Sequence, residues 1–197
     1  MSRILFLALL LFAVATAQAQ TEKRIYTQSE RESMSPNGQK ERERRKQLEA
    51  MEDSLNFVRA VEAIEKLDFV LEANRLTFKR GQSVFVNSTT NFVALQDEHA
   101  TVQVAPFYGG GGPNGVGGTT LDGRASNIIL RTDKKGNVTL TMSVMGTGLS
   151  ATVSISMAKG SNRASVTVNP NFHSNRVTLD GVLIPSSQSN MFKGRAF

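Results

Sequence analysis

Residues 137–168 read NVTLTMSVMGTGLSATVSISMAKGSNRASVTV, and the period of this stretch decides the fold. Val138, Leu140, Met142 and Val144 alternate with Thr139, Thr141 and Ser143. Val153, Ile155 and Met157 alternate with Thr152, Ser154 and Ser156, and Ala164, Val166 and Val168 with Ser165 and Thr167. A period of two places the apolar side chains on one face of a strand and the hydroxyls on the other, so each run has one face in a core and one in water. Met145-Gly146-Thr147-Gly148 and Lys159-Gly160-Ser161-Asn162 are short and rich in turn residues, which join such strands antiparallel.

The pattern extends in both directions. Val177 and Leu179 open a strand from Arg176 to about Ile184 that Pro185 helps to end. Lys134-Lys135-Gly136-Asn137 is a further turn, and earlier strands are expected at Phe69–Phe78, Phe92–Leu95, Thr101–Phe107 and Ala125–Arg131. About seven or eight strands in one sheet curl or split. The expected fold is therefore mainly β (α+β), an antiparallel β-sandwich or partial barrel with one N-terminal amphipathic helix packed on it. That helix is expected over residues 40–66, which hold no proline or glycine. Leu48, Met51, Leu55, Val58, Val61 and Ile64 recur at steps of three and four, drawing one apolar stripe that calls for the following sheet (67–197) as its partner. Its start, Lys40 to Lys46, reads first as a solvated helix end, with Glu41 and Arg45 at i,i+4 spacing, and second as a basic patch for an anionic surface.

Ahead of the helix, residues 20–39 are polar and carry the turn signal Pro36-Asn37-Gly38, which reads as a flexible segment. Residues 1–19 hold Arg3, an apolar run from Ile4 to Ala15, and small residues ending in Ala17-Gln18-Ala19, the layout of a secretory signal peptide. A retained membrane anchor is the lesser reading of this run; cleavage, first after Ala19 and second after Ala17, removes one charge, Arg3, from the net +6 of the chain. No later apolar stretch is long enough to span a bilayer as a helix. The expected organisation is a signal peptide (1–19), a flexible segment (20–39) and one β-rich domain (40–197) exported to the periplasm, the envelope or the medium.

Composition narrows the chemistry. The chain lacks cysteine, which excludes disulfides, thiolate metal sites, thiol nucleophiles and a lipidated N-terminal cysteine. It has no tryptophan and two tyrosines, Tyr26 and Tyr108, so platforms for stacking bases or sugars are scarce. Export and dispersed basic residues argue against nucleic acid as the partner. His99 and His173 stand in separate turn-like stretches without a short metal-ligand spacing, and no metal or cofactor is expected. No G-x-S-x-G or S-x-x-K motif is present. Asp122 and Asp180 both precede glycine, a turn or bulge signal first and a carboxylate pair for hydrolysis a distant second. Asn87-Ser88-Thr89 and Asn137-Val138-Thr139 match the glycosylation acceptor pattern, which matters only in a glycosylating pathway. A membrane barrel is disfavoured, because its strands need an apolar outward face with aromatic girdles.

The segment Gly109 to Gly118 formally satisfies G-x-G-x-x-G through Gly110, Gly112 and Gly115. Pro113 and the extra glycines oppose the helix start that a dinucleotide site needs, so the plain reading is a flexible loop between strands. Its functional reading is a flap over a ligand, bordered by Phe107 and Tyr108.

Asp68-Phe69-Val70-Leu71-Glu72-Ala73-Asn74, then Asn91-Phe92-Val93, Ala100-Thr101-Val102-Gln103-Val104, Leu179-Asp180-Gly181-Val182-Leu183-Ile184-Pro185 and Phe192-Lys193-Gly194 follow one another behind the charged helix. This layout, over roughly residues 40 to 197, resembles the DUF4251 family of small exported proteins found mainly in Bacteroidetes. The resemblance implies a bacterial, extracytoplasmic setting and makes glycosylation improbable, but brings no activity and no catalytic residues. The expected function is a non-enzymatic envelope module holding a small apolar ligand in a curved sheet, with Phe107, Tyr108, Gly110, Gly112, Asn114 and Arg124 as candidate contacts. The alternatives are a protein-interaction or scaffold module using a sheet edge or the basic helix start, and a carboxylate-dependent hydrolase.

Overall fold

The computed structural model describes Thr27, Ser29 and residues 35–106, 114–171 and 175–196. Two compact units divide the chain, residues 1–46 and 47–197.

Helix α1 spans Pro36–Glu65. It starts earlier than expected because Pro36-Asn37-Gly38 forms its first turn: Ser35 Oγ accepts the Gly38 N–H at 3.1 Å, and proline suits a position whose own N–H needs no partner. In the first unit, Glu41 pairs with Arg44 at 2.7 Å on an exposed face. The second unit holds the rest of α1 and nine strands: β1 Asp68–Phe78, β2 Ser83–Phe85, β3 Phe92–Gln96, β4 His99–Val104, β5 Thr119–Thr132, β6 Val138–Gly146, β7 Ser150–Met157, β8 Arg163–Pro170 and β9 Val177–Pro185.

All pairings are antiparallel, and strands β3 to β9 follow in chain order. β1 pairs with β3 through Asp68–Glu72 on one side and with β9 over its whole length on the other, from Phe69↔Pro185 to Phe78↔Val177. That last pairing closes an eight-stranded barrel, with short β2 beside the upper half of β1 as an extra strand. The mainly β expectation holds: of its two forms the sheet takes the barrel and not the sandwich, and the barrel is closed where a partial one was expected. It bends where the ladder is irregular: β1 bulges between Ala73 and Arg75, and β5 between Ser126 and Ile129. Gly181 sits opposite Ala73 at the first bulge, where a Cβ would strike the Glu72 carbonyl. Asp180-Gly181 and Asp122-Gly123 are thus mid-strand positions of close approach, not loop turns.

The alternating residues point inward as the period dictates. Leu140, Met142, Val153, Ile155, Met157, Val166 and Leu179 are buried in one core with Phe69, Leu71 and Leu95. The outward Thr139, Thr141, Ser154 and Thr167 face the reverse way to the apolar belt of a lipid-facing barrel. No helix among the described residues is long and apolar enough to cross a membrane.

The helix corrects one expectation. Ala60, Ala63 and Ile64 are buried, with Phe57 and Val61 packed against the same core, but Leu48, Met51, Leu55 and Val58 are 59%, 64%, 57% and 49% exposed. A closed barrel already buries its own apolar face. It needs a helix only at an end, and the last turns of α1 fill the end where β1 starts.

Candidate functional site

The opposite end of the barrel is open. A cavity of about 790 Å³ lies there, inside the ends of β1, β4, β5, β7, β8 and β9. Short side chains on four of its strands leave part of this space. Val102, Ala151, Val168 and Val177 line it, whereas Phe69, Leu95, Met157 and Ile64 fill the end where α1 enters. Phe78, Leu121 and Leu149 complete the apolar wall. Among the described residues, the charged ones around the mouth are Lys79, Arg80 and Arg176. Lys79 and Arg80 sit on the β1–β2 turn, which Gly81 closes in the left-handed region (φ 84) while its N–H bonds the Phe78 carbonyl at 2.8 Å.

Of the expected contacts, Phe107, Tyr108, Gly110 and Gly112 lie outside the described residues. They belong to the β4–β5 connection, whose flanks Val104 and Thr119 line the cavity. Asn114 is buried, and its amide is occupied within that connection: Oδ1 accepts the N–H groups of Val116 (3.1 Å) and Gly118 (2.8 Å), and Nδ2 donates to Thr120 Oγ1 (3.2 Å). Arg124 pairs with Glu98 near the plugged end, on the outside. His173 is outside the described residues.

A second polar assembly lies on the outer wall. The chain beyond β9 runs back across β1, β3, β4 and β5 as a strap. Ser189 Oγ donates to Glu72 Oε1 (2.6 Å), and the Phe192 N–H donates to the Thr89 carbonyl (2.8 Å). Gln103, fully buried, is the central fastening. Its Nε2 donates to the carbonyls of Thr90 (3.0 Å) and Phe192 (2.8 Å), and its Oε1 accepts the Gly194 N–H (2.7 Å) and Thr120 hydroxyl (2.8 Å). Gly194 lacks a side chain because a Cβ there would press on the Asn114 carbonyl at 2.5 Å. Beneath the strap, Val70, Phe92 and Ala94 form a small outer core with Met191.

Asp122 anchors the strap. Its Oδ2 meets Lys193 Nζ at 2.8 Å, and its Oδ1 meets His99 Nε2 at 2.8 Å and Thr101 Oγ1 at 2.6 Å. Burial pushes this carboxyl up, but hydrogen bonds from Lys193 and Thr101 and the charges of Lys193 and His99 outweigh it and hold the pKa below its ordinary value. A His, an Asp and a hydroxyl are the parts of a nucleophile relay. Here the hydroxyl donates to the carboxylate instead of to the imidazole, so nothing activates it. Asp180 is elsewhere: it pairs with Arg75 at 3.0 Å, and β5 and β9 stand on opposite sides of the barrel. The two carboxylates are not brought together.

The fold and its sites define a small closed meander barrel with one end plugged by a helix, one apolar end open and a C-terminal strap. The chain belongs to the DUF4251 family: the model of that domain of unknown function matches residues 51–183. A DUF4251 family protein from Bacteroides eggerthii DSM 20697, known from a crystal structure at 1.95 Å resolution, is 47% identical. The match covers 75% of this chain and 99% of that one, with a TM-score of 0.64. No curated protein matches the chain.

Proposed function

We propose that this protein is a non-enzymatic binding module of the bacterial envelope that holds a small, largely apolar ligand in the open end of its barrel. One observation carries the reading: the core is packed at the helix end and leaves about 790 Å³ between short apolar side chains at the other, within the size range of small-ligand pockets. An eight-stranded barrel is just wide enough for its side chains to fill or for one small ligand to share. Residues 1–19, read as a signal peptide, supply the envelope setting.

Native mass spectrometry of the protein, purified without detergent from the cells that make it, tests this. Extra mass that is lost on denaturation supports the reading and gives the ligand's size. An Ala151→Phe variant, which fills the mouth from an inward position, is expected to lose that mass while the outward Thr152→Ala keeps it. A protein that carries no extra mass and binds no neutral apolar dye such as N-phenyl-1-naphthylamine overturns the proposal.

A further inference from the structure

We infer that the ligand of this mouth is an amphipathic anion, with an apolar body inside the barrel and a carboxylate or phosphate held at the rim by Lys79, Arg80 and Arg176. The inference rests on the binding reading above and gives the ligand's polar end its chemistry.

The first observation is the sign of the charge. Among the described residues, every charged residue lining the cavity is a cation. The described residues of the connections at this end, 79–82, 105–106, 114–118, 147–149, 171 and 175–176, include no Asp or Glu. At the plugged end, the β3–β4 and β5–β6 connections carry Asp97, Glu98 and Asp133. The acidic residues of the loops are therefore segregated away from the mouth.

The second is the register. Phe78 pairs with Val177, the last pair of the β1–β9 ladder, so Lys79 at the start of the β1–β2 turn and Arg176 just before β9 flank the same end of it, with Arg80 next in the turn. Like charges gathered at one rim repel one another. On the outer wall of the barrel, Arg75 pairs with Asp180 and Arg124 with Glu98. None of the three rim cations pairs with a carboxylate among the described residues, so an anion placed between them would relieve a repulsion that the fold leaves standing.

The third is what the cations surround. A surface that only attracts a polyanion needs no hole behind it, whereas these side chains ring an apolar cavity. An apolar tail enters such a cavity and leaves its head at the rim, where a cation meets it without being buried.

The test is competition for bound N-phenyl-1-naphthylamine, which carries no charge. Four competitors of equal chain length are used below their micelle concentrations: dodecanoate, dodecyl phosphate, dodecanol and dodecylamine. In the intact protein the two anions are expected to displace the dye at about tenfold lower concentration than dodecanol, the combined effect of three exposed ion pairs each of small worth. Dodecylamine is expected to be the weakest. The triple variant Lys79→Gln, Arg80→Gln, Arg176→Gln, confined to the exposed rim, is expected to bring the anions level with dodecanol while dodecanol itself is unchanged. High salt is expected to narrow the same gap in the intact protein. The ranking of dodecanoate against dodecyl phosphate identifies which head the rim prefers, and either order supports the inference. If the dye binds but all four competitors act alike, or the triple variant alters none of them, the mouth binds ligands and the anion inference fails. If neither the dye nor any competitor binds, the binding reading itself fails and takes the inference with it.

Discussion

Replacing Gln103 by Met keeps the length of the side chain and deletes all four of its hydrogen bonds. The Thr120 hydroxyl then lies fully buried without an acceptor, while Gly194 and the carbonyls of Thr90 and Phe192 lose a partner at a half-buried strap that water reaches. A buried donor left unsatisfied costs about 1–3 kcal/mol, and each rewetted bond about 0.5–1 kcal/mol. The apolar gain of burying a thioether returns about 1 kcal/mol. The net loss is then about 3 kcal/mol, or about 6–12 °C in melting temperature for a unit of this size. Urea denaturation followed by far-ultraviolet circular dichroism measures the total. Hydrogen exchange at the Gly194 and Arg195 amides reports the strap alone, since both are donors in its fastening to Gln103 and Asn114. A loss under about 1 kcal/mol, or unchanged protection of those two amides, would refute the assignment of Gln103 as the central fastening.

Two further outcomes are expected. Ile64→Ala should cost about 3 kcal/mol, the usual cost of emptying a packed aliphatic site, whereas Leu55→Ser on the same helix should change stability by less than about 0.5 kcal/mol; equal losses in thermal unfolding would mean that the stripe is packed after all. For Asp122, the folded carboxyl releases its proton at lower pH than the unfolded one, so its contribution is present above its ordinary value of 3.8 and is lost as pH falls through the lowered value. Asp122→Asn should therefore weaken the protein at neutral pH and flatten the acid limb of its stability profile. A variant curve parallel to that of the intact protein at every pH would contradict this.

The strands that alternate were legible, and the reason is physical. β6, β7, β8 and β9 have water outside and core inside, so their sequence shows the period of two. β1 and β3, expected at Phe69–Phe78 and Phe92–Leu95, fall within one residue of those bounds, although both of their faces are covered: Phe69, Leu71, Val93 and Leu95 face the core, and Val70, Phe92 and Ala94 face the strap. Burial on both faces erases the alternation and leaves runs such as Phe92-Val93-Ala94-Leu95. β2 escaped notice because it is three exposed residues long. Closure was out of reach, because the pairing of β1 with β9 joins residues 99 to 116 positions apart and no local pattern encodes it. The misplaced partner of the helix follows from that one gap. An open sheet would have needed the stripe from Leu48 to Val58, and a closed one leaves it in water.

The site was hidden by the same long-range step. Lys79, Arg80 and Arg176 are unremarkable in sequence, two in a turn signal and one before a strand. They become a set only when β1 and β9 pair. The glycine-rich segment, conspicuous as a string, contributes to the described cavity only through its flanks, Val104 and Thr119. Conspicuous composition marks where a chain is locally permissive. A binding site needs groups held at fixed places by rigid elements, and here those elements are strand ends whose neighbours the ladder chooses. The cations therefore carry more of the functional argument than the glycines, and substitutions at Lys79 and Arg176, which flank the two strands that close the barrel, are where ligand chemistry and fold closure can be read in one experiment.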